Sequence, residues 1–122
     1  MKDIHIDVKG QTEDALQQKC IFWFWNTYPH YRRLLFSVPN GGLRDGKTAK
    51  TMNLTGLTKG VSDLILLKNN RAYLLEAKKD KKASQSKEQK SWQALVEREG
   101  FNYQIFRSLH EFKAIIVQIM LK

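Results

Sequence analysis

Asp63, Glu76 and Lys78 stand at the ends of two short apolar runs with a polar turn between them. The first run is Asp63-Leu64-Ile65-Leu66-Leu67. It passes through Lys68-Asn69-Asn70-Arg71 into Ala72-Tyr73-Leu74-Leu75, which ends in Glu76-Ala77-Lys78. If the runs pair as antiparallel strands, the start of one lies beside the end of the other, and Asp63 meets Glu76 at one edge of the sheet. Side chains alternate along a strand, so Glu76 and Lys78 share a face while Ala77 points the other way. Two carboxylates can anchor a Mg²⁺ or Mn²⁺ ion, and the backbone carbonyl of Ala77 could add a third oxygen. Such an ion neutralises phosphoryl oxygens and makes hydroxide at neutral pH, while Lys78 holds the attacking water or offsets developing charge. The chemistry that suits this trio is hydrolysis of a phosphodiester.

The charge balance agrees with a phosphate-bearing partner. The 122 residues carry 21 Lys and Arg against 12 Asp and Glu, a formal net charge of +9. Such a surface attracts polyanions, nucleic acid first among them. A membrane surface is the competing polyanion, but no Lys/Arg-rich amphipathic helix stands out. No run approaches the roughly 18 apolar residues of a membrane span, and no apolar leader is visible. Cys20 is the only cysteine, which excludes an intrachain disulfide and suits a reducing cytoplasm. It falls in a helical apolar stripe, as a buried structural thiol would. A soluble, cytoplasmic, single-domain protein over 1–122 is the expectation. His5, His30 and His110 lack metal-ligand spacing.

The elements that must hold the trio can be read on either side of it. From about Thr12 to Tyr28, Leu16, Cys20, Trp23, Phe24 and Thr27 follow helical spacing, with Thr12 as N-cap and Pro29 closing the segment. Leu34 to Val38 is a short strand, and Pro39 to Gly46 is a Gly-rich loop. Lys47 to Leu57 holds a short helix. After the hairpin comes a Lys-rich connection, then a helix with capping-box spacing at Ser86 and Gln89 and an apolar face of Trp92, Leu95 and Val96, ended by Gly100. Tyr103 to Phe106 is a strand, and Ser108 and Glu111 open a last amphipathic helix. The order α-β-β-β-α-β-α, with a crossover helix before the fourth strand, predicts an α/β fold whose mixed sheet has helices on both faces.

Gly60-Val61-Ser62-Asp63 followed by Glu76-Ala77-Lys78 resembles the PD-(D/E)xK nuclease superfamily, with its restriction-endonuclease-like core. Pro39-Asn40-Gly41-Gly42-x-Arg44 upstream, Gly56, and Ser86-x-x-Gln89-x-x-Trp92 downstream narrow the resemblance to the virus-type replication-repair nuclease, or VRR-NUC, family. The resemblance runs from Glu13 to about Gly100. It implies a site of Glu13, Asp63, Glu76, Lys78 and Gln89, with Glu13 reaching the metal directly or through water. Two of these are supported by spacing alone: Glu13 shares the stripe of Leu16, Cys20 and Phe24, and Gln89 that of Trp92 and Val96. Ser62 departs from the family, which usually has proline there. The resemblance further implies a homodimer acting on branched DNA such as a four-way (Holliday) junction, and admits a phage-encoded protein working in the host cytoplasm. The alternative is a module that keeps the fold and holds DNA structures without cutting. A basic RNA-binding domain is disfavoured, since the aromatic RNP pattern and a GxxG loop are missing.

Several residues have a plainer reading beside the functional one. Gln89 also completes a capping box, and Glu13 is a favourable first-turn acid. Asn40, Gly41, Gly42 and Arg44 form either a surface turn or a phosphate-contacting loop. Lys81 and Lys82 are solvated charges that could also track a DNA backbone. Phe22-Trp23-Phe24-Trp25 cannot all face one core. A dimer interface anchored by Trp25 is the first explanation of the surplus, a base-stacking platform the second.

Overall fold

The two apolar runs do pair, and their turn fixes how. In a computed structural model that describes residues 11–39 and 46–122, the side chains of 46–49 excepted, strands β2 (Leu64–Lys68) and β3 (Arg71–Ala77) form an antiparallel hairpin with Lys68 opposite Arg71 and Leu64 opposite Leu75. Asn69 and Asn70 have φ of 57° and 64°. Two consecutive left-handed residues make the primed turn whose twist matches the strands, and Asn tolerates that region better than most side chains.

On one flank β1 (Leu35–Ser37) pairs antiparallel to β2, with Ser37 opposite Leu64. On the other, β4 (Asn102–Phe106) lies parallel to β3, with Glu76 beside Ile105. The order β1-β2-β3-β4 is therefore the mixed sheet expected. Its parallel pair is joined through α3 (Lys87–Arg98), because parallel neighbours need a crossover.

Alternation sorts the strand residues into two layers. Leu64, Leu66, Tyr73, Leu75, Ala77 and Phe106 share a core with Leu16, Cys20 and Phe24 of α1 (Glu13–Thr27) and with Phe112, Ile116 and Ile119 of α4 (Leu109–Met120). Leu74, Glu76 and Tyr103 belong to the opposite face, where Trp92 of α3 meets the Tyr103 ring at 6.0 Å. Burial in the core pushes the Cys20 thiol up to about 12. A structural thiol, not a nucleophile, is the result.

Two of the helix starts match the expectation, and the capping box expected at Ser108 and Glu111 forms in part. The Thr12 hydroxyl accepts from Ala15 N–H at 2.9 Å, and the Ser86 and Gln89 capping box is complete. At Ser108 the box is displaced: its hydroxyl accepts from Glu111 N–H, but the Glu111 carboxylate reaches back to Arg107 N–H at 2.7 Å.

Two elements differ from expectation. A 3₁₀ segment occupies Pro29–Leu34, which shortens the anticipated strand 34–38 to three residues. Pro29 has no N–H to continue α1 but suits the first turn of a new helix, so it ends one helix and starts another. The short helix α2 spans Gly46–Leu54 and stops at Gly56, whose φ of 111° needs no side chain.

Candidate metal and phosphodiester site

The hairpin register carries Asp63, the residue before β2, opposite Glu76 at the end of β3. Val38 N–H donates to the Asp63 carbonyl at 2.9 Å, which pins its main chain to the end of β1. The Asp63 Oδ2 accepts from Ala77 N–H at 2.6 Å. Burial lifts the Asp63 carboxyl to about 6; the Ala77 N–H works against that rise, while nearby Glu13 and Glu76 add to it.

Glu76 is fully buried. Its Oε1 accepts from the Tyr103 hydroxyl and from Gln85 Nε2 at 2.9 Å. Gln85 also donates to Gln93 Oε1 at 2.8 Å, which ties the carboxylate to the inner side of α3. Burial, then the bond to Glu76, raise the Tyr103 hydroxyl well above its ordinary value, so it stays a donor. The other oxygen, Oε2, is buried and takes no hydrogen bond of acceptable geometry; its neighbour is Lys78 Nζ at 3.2 Å.

Lys78 is nearly as deep as Glu76, 4% exposed. It donates to Gln89 Oε1 at 2.7 Å and has the Glu13 carboxylate at 3.9 Å. Gln89 Oε1 accepts at the same time from Ser86 N–H at 2.8 Å. The capping role and the site role of Gln89 are thus carried by one oxygen. Glu13, at the start of α1, comes within reach through Lys78 while keeping much of its side chain in solvent.

Glu13, Asp63, Glu76, Lys78 and Gln89 are therefore brought together from four elements or their ends. Three carboxylates surround one ammonium, which leaves the cluster acidic inside a basic chain. A buried carboxylate oxygen that takes no hydrogen bond, on a residue opposite a second carboxylate in register, is the kind of donor a hard divalent cation takes. Among the described residues no group of three His, Cys, Asp or Glu stands in metal-ligating geometry. Glu76 Oε1 is held by Tyr103 and Gln85, and Asp63 Oδ2 by Ala77. By chemistry the carboxylates of Glu76, Asp63 and solvent-facing Glu13 are the donor type such a cation takes.

The connection after Lys78 is ordered by contacts that sequence reading missed. Asp80 accepts from Lys82 and Ala83 N–H, and these bonds hold its carboxyl below the usual range. Arg107, just past β4, donates to the carbonyls of Asp80 and Ala83 at 2.8 and 2.6 Å. Lys81 and Lys82 project from this clamped loop, both exposed. Gln85, Tyr103 and Arg107 carried no local signal; only the parallel pairing of β3 and β4 brings the latter two beside the site. Asn40, Gly41, Gly42 and Arg44 lie outside the described residues.

No family model matches the sequence, and no curated protein is significantly similar to it. Among solved structures, a "VRR_NUC domain protein" superposes with a TM-score of 0.76 at 20% sequence identity, covering 93% of this chain and 92% of that one. The chain has a VRR-NUC fold. Two motif positions acquire physical reasons within it. Gly60 has φ of 85°, and a Cβ there would stand 2.4 Å from the Glu88 carbonyl oxygen, so only glycine lets the approach to Asp63 press against the first turn of α3. Ser62, where the VRR-NUC pattern favours proline, is fully buried and donates to the Leu64 carbonyl at 3.2 Å. That bond braces the turn which a proline ring would stiffen.

Proposed function

We propose that this protein is a metal-dependent endonuclease that hydrolyses DNA phosphodiesters, with branched DNA such as a four-way junction as its substrate. The observation that carries the reading is the buried Glu76 Oε2, which takes no hydrogen bond and has only Lys78 Nζ beside it at 3.2 Å, on a residue opposite Asp63 in the hairpin register. Bound Mg²⁺ or Mn²⁺ would supply Lewis acidity at the phosphoryl oxygen and a water acidic enough to attack near neutral pH. Asp63 and Glu76 would hold the ion, with the Ala77 carbonyl and Glu13 as further oxygens. Lys78, kept in place by Gln89, donates toward the attacking water or the phosphoryl oxygens, where negative charge grows. Tyr103 and Gln85 keep Glu76 from swinging away.

A two-fold related substrate is best served by a symmetric pair of sites, so a homodimer belongs to the same proposal. The first helix offers less aromatic surface for it than its sequence promised. Trp23 and Trp25 pack against the core, and the Arg32 guanidinium lies 4.0 Å over the Trp25 ring. Phe22 is the aromatic left out, 47% exposed, and replaces Trp25 as the anchor to test.

The deciding experiment incubates the protein with labelled duplex, flap and four-way junction DNA in Mg²⁺, Mn²⁺ or EDTA. Metal-dependent cutting of the branched substrates is expected. Binding without cutting in every metal would favour the non-cleaving module, a reading that draws on the engagement of both carboxylates with protein donors.

A further inference from the structure

On the sheet face that carries Glu76, α3 packs over β4 and Leu74 is buried, but Phe36 and Leu67 on the hairpin side are each 41% exposed. At the hairpin end lies a groove of about 640 Å³, lined by Leu67 and Ala72 from this face and by Lys68 and Arg71 from the strand positions that alternate to the other. Its floor includes Leu67 and Ala72, which are register partners on one face. Tyr31 and Phe101 stand along it, Phe101 45% exposed.

The rim is cationic. Lys68 Nζ lies 5.7 Å over the Tyr31 ring and bonds Asn69 Oδ1 at 3.1 Å. Among the described residues neither Lys68 nor Arg71 has a salt-bridge partner. Among the described residues no carboxylate side chain lines the groove; Glu99 lies in the neighbouring pocket, with Arg71 and Phe101 shared between the two.

An exposed aromatic ring, an apolar floor and cations without acidic partners together match one chemistry, a flat base joined to a phosphate. In a duplex the base faces are already stacked, so the matching occupant is an unpaired strand. A second copy of this chain fits poorly, because a symmetric contact would set Lys68 and Arg71 against themselves in a chain of net charge +9.

The place of the groove fixes its relation to the acid cluster. Ala72 and Glu76 share a sheet face, and Arg71 to Glu76 spans about 17 Å at roughly 3.3 Å per strand residue. That is about five nucleotides at the 3.4 Å spacing of a stacked strand. We infer that the hairpin-end groove binds an unpaired DNA strand about five nucleotides from the phosphate held at Asp63 and Glu76. The five-nucleotide separation rests on the nuclease reading; binding of the strand in the groove does not.

The test is photocrosslinking of the full chain, in EDTA, to a short oligodeoxynucleotide substituted with 5-iodouracil, with the attached peptide identified by mass spectrometry. Attachment at Phe101 or Tyr31 is expected. Phe101→Ala, at an exposed position, should weaken single-strand affinity about tenfold, within what loss of one stacked base costs. Lys68→Ala with Arg71→Ala should weaken it further and lower its salt dependence. Attachment confined to peptides around Asp63 and Glu76 would overturn the inference. So would a loss of self-association in the Lys68 and Arg71 double variant with oligonucleotide affinity unchanged, which would make the groove a contact between copies. Because no cleavage is read, an inactive protein that crosslinks at Phe101 would sink the nuclease reading and leave the groove standing.

Discussion

At the scale of single residues, the site is a contest between burial and charge, and Asp63 shows it most directly. Burial first, and then Glu13 and Glu76, lift its carboxyl to about 6, above the ~3.9 of an unfolded chain. A raised folded value means that the native state binds the proton more tightly, so the stability it confers is whole below pH ~4 and is lost as pH rises through about 6. Without metal, Asp63→Asn should therefore raise the melting temperature at pH ~8 and give no gain at pH ~4, as thermal scans in EDTA would show. Equal shifts at both pH values would refute the assignment of Asp63 as the buried, charge-burdened acid. For catalysis the expectations differ by role. Asp63→Ala and Glu76→Ala should abolish cutting while DNA is still bound, and Lys78→Ala should lose about 10²-fold in rate. Metal-dependent cleavage surviving in either carboxylate variant would remove it from the metal-holding set. The trio and Gln89 were legible because hairpin register and capping-box spacing are local rules. Tyr103 and Gln85 were not, since they reach Glu76 through tertiary pairing that no short spacing encodes.

Between elements, residue 60 approaches α3 so closely that a Cβ there would strike the Glu88 carbonyl. Helix caps, the two-asparagine turn and the crossover were all readable from residue type, each being a few residues that satisfy their own backbone groups. The 3₁₀ segment 29–34 was hidden because Pro29 reads equally as a stop and as a start. The role of Gly60 was only half legible: a glycine in a motif signals an unusual turn, but not that Glu88 lies against it. Its neighbour in the motif provides a control. Gly56 also has a left-handed φ, 111°, yet a Cβ there would meet nothing within 4 Å, whereas at Gly60 it would strike the Glu88 carbonyl. Gly56→Ala should cost about 1 kcal/mol through backbone strain alone. Gly60→Ala should cost about 2–4 kcal/mol, since main chain on both sides must shift. Urea denaturation of the two variants measures the difference. Comparable losses would mean that the contact with α3 contributes little to how Asp63 is placed.

For the whole molecule, the proposed function would divide the work between an acidic cluster for chemistry and the surplus cations of a chain of net charge +9 for grip. The carboxylates are held within the sheet and its helices, whereas Lys81 and Lys82 are exposed on a loop clamped by Arg107. Cations so placed can neutralise phosphates without reading bases, and each phosphate contact with a duplex releases condensed counterions. Binding should therefore weaken steeply with salt and vary little with sequence. Each duplex phosphate contact contributes about 0.9 to the slope of log affinity against log salt, so Lys81→Ala with Lys82→Ala should flatten that slope by about 1.8. The loss should be similar on every sequence tested, because neither side chain is asked to discriminate. Fluorescence anisotropy over a salt series, with calcium or EDTA replacing the active metal, supplies the measurement. A slope unchanged by the double variant would place the phosphate path elsewhere on the surface. A loss confined to one base sequence would mean that the loop enters a groove and reads bases instead of following the backbone.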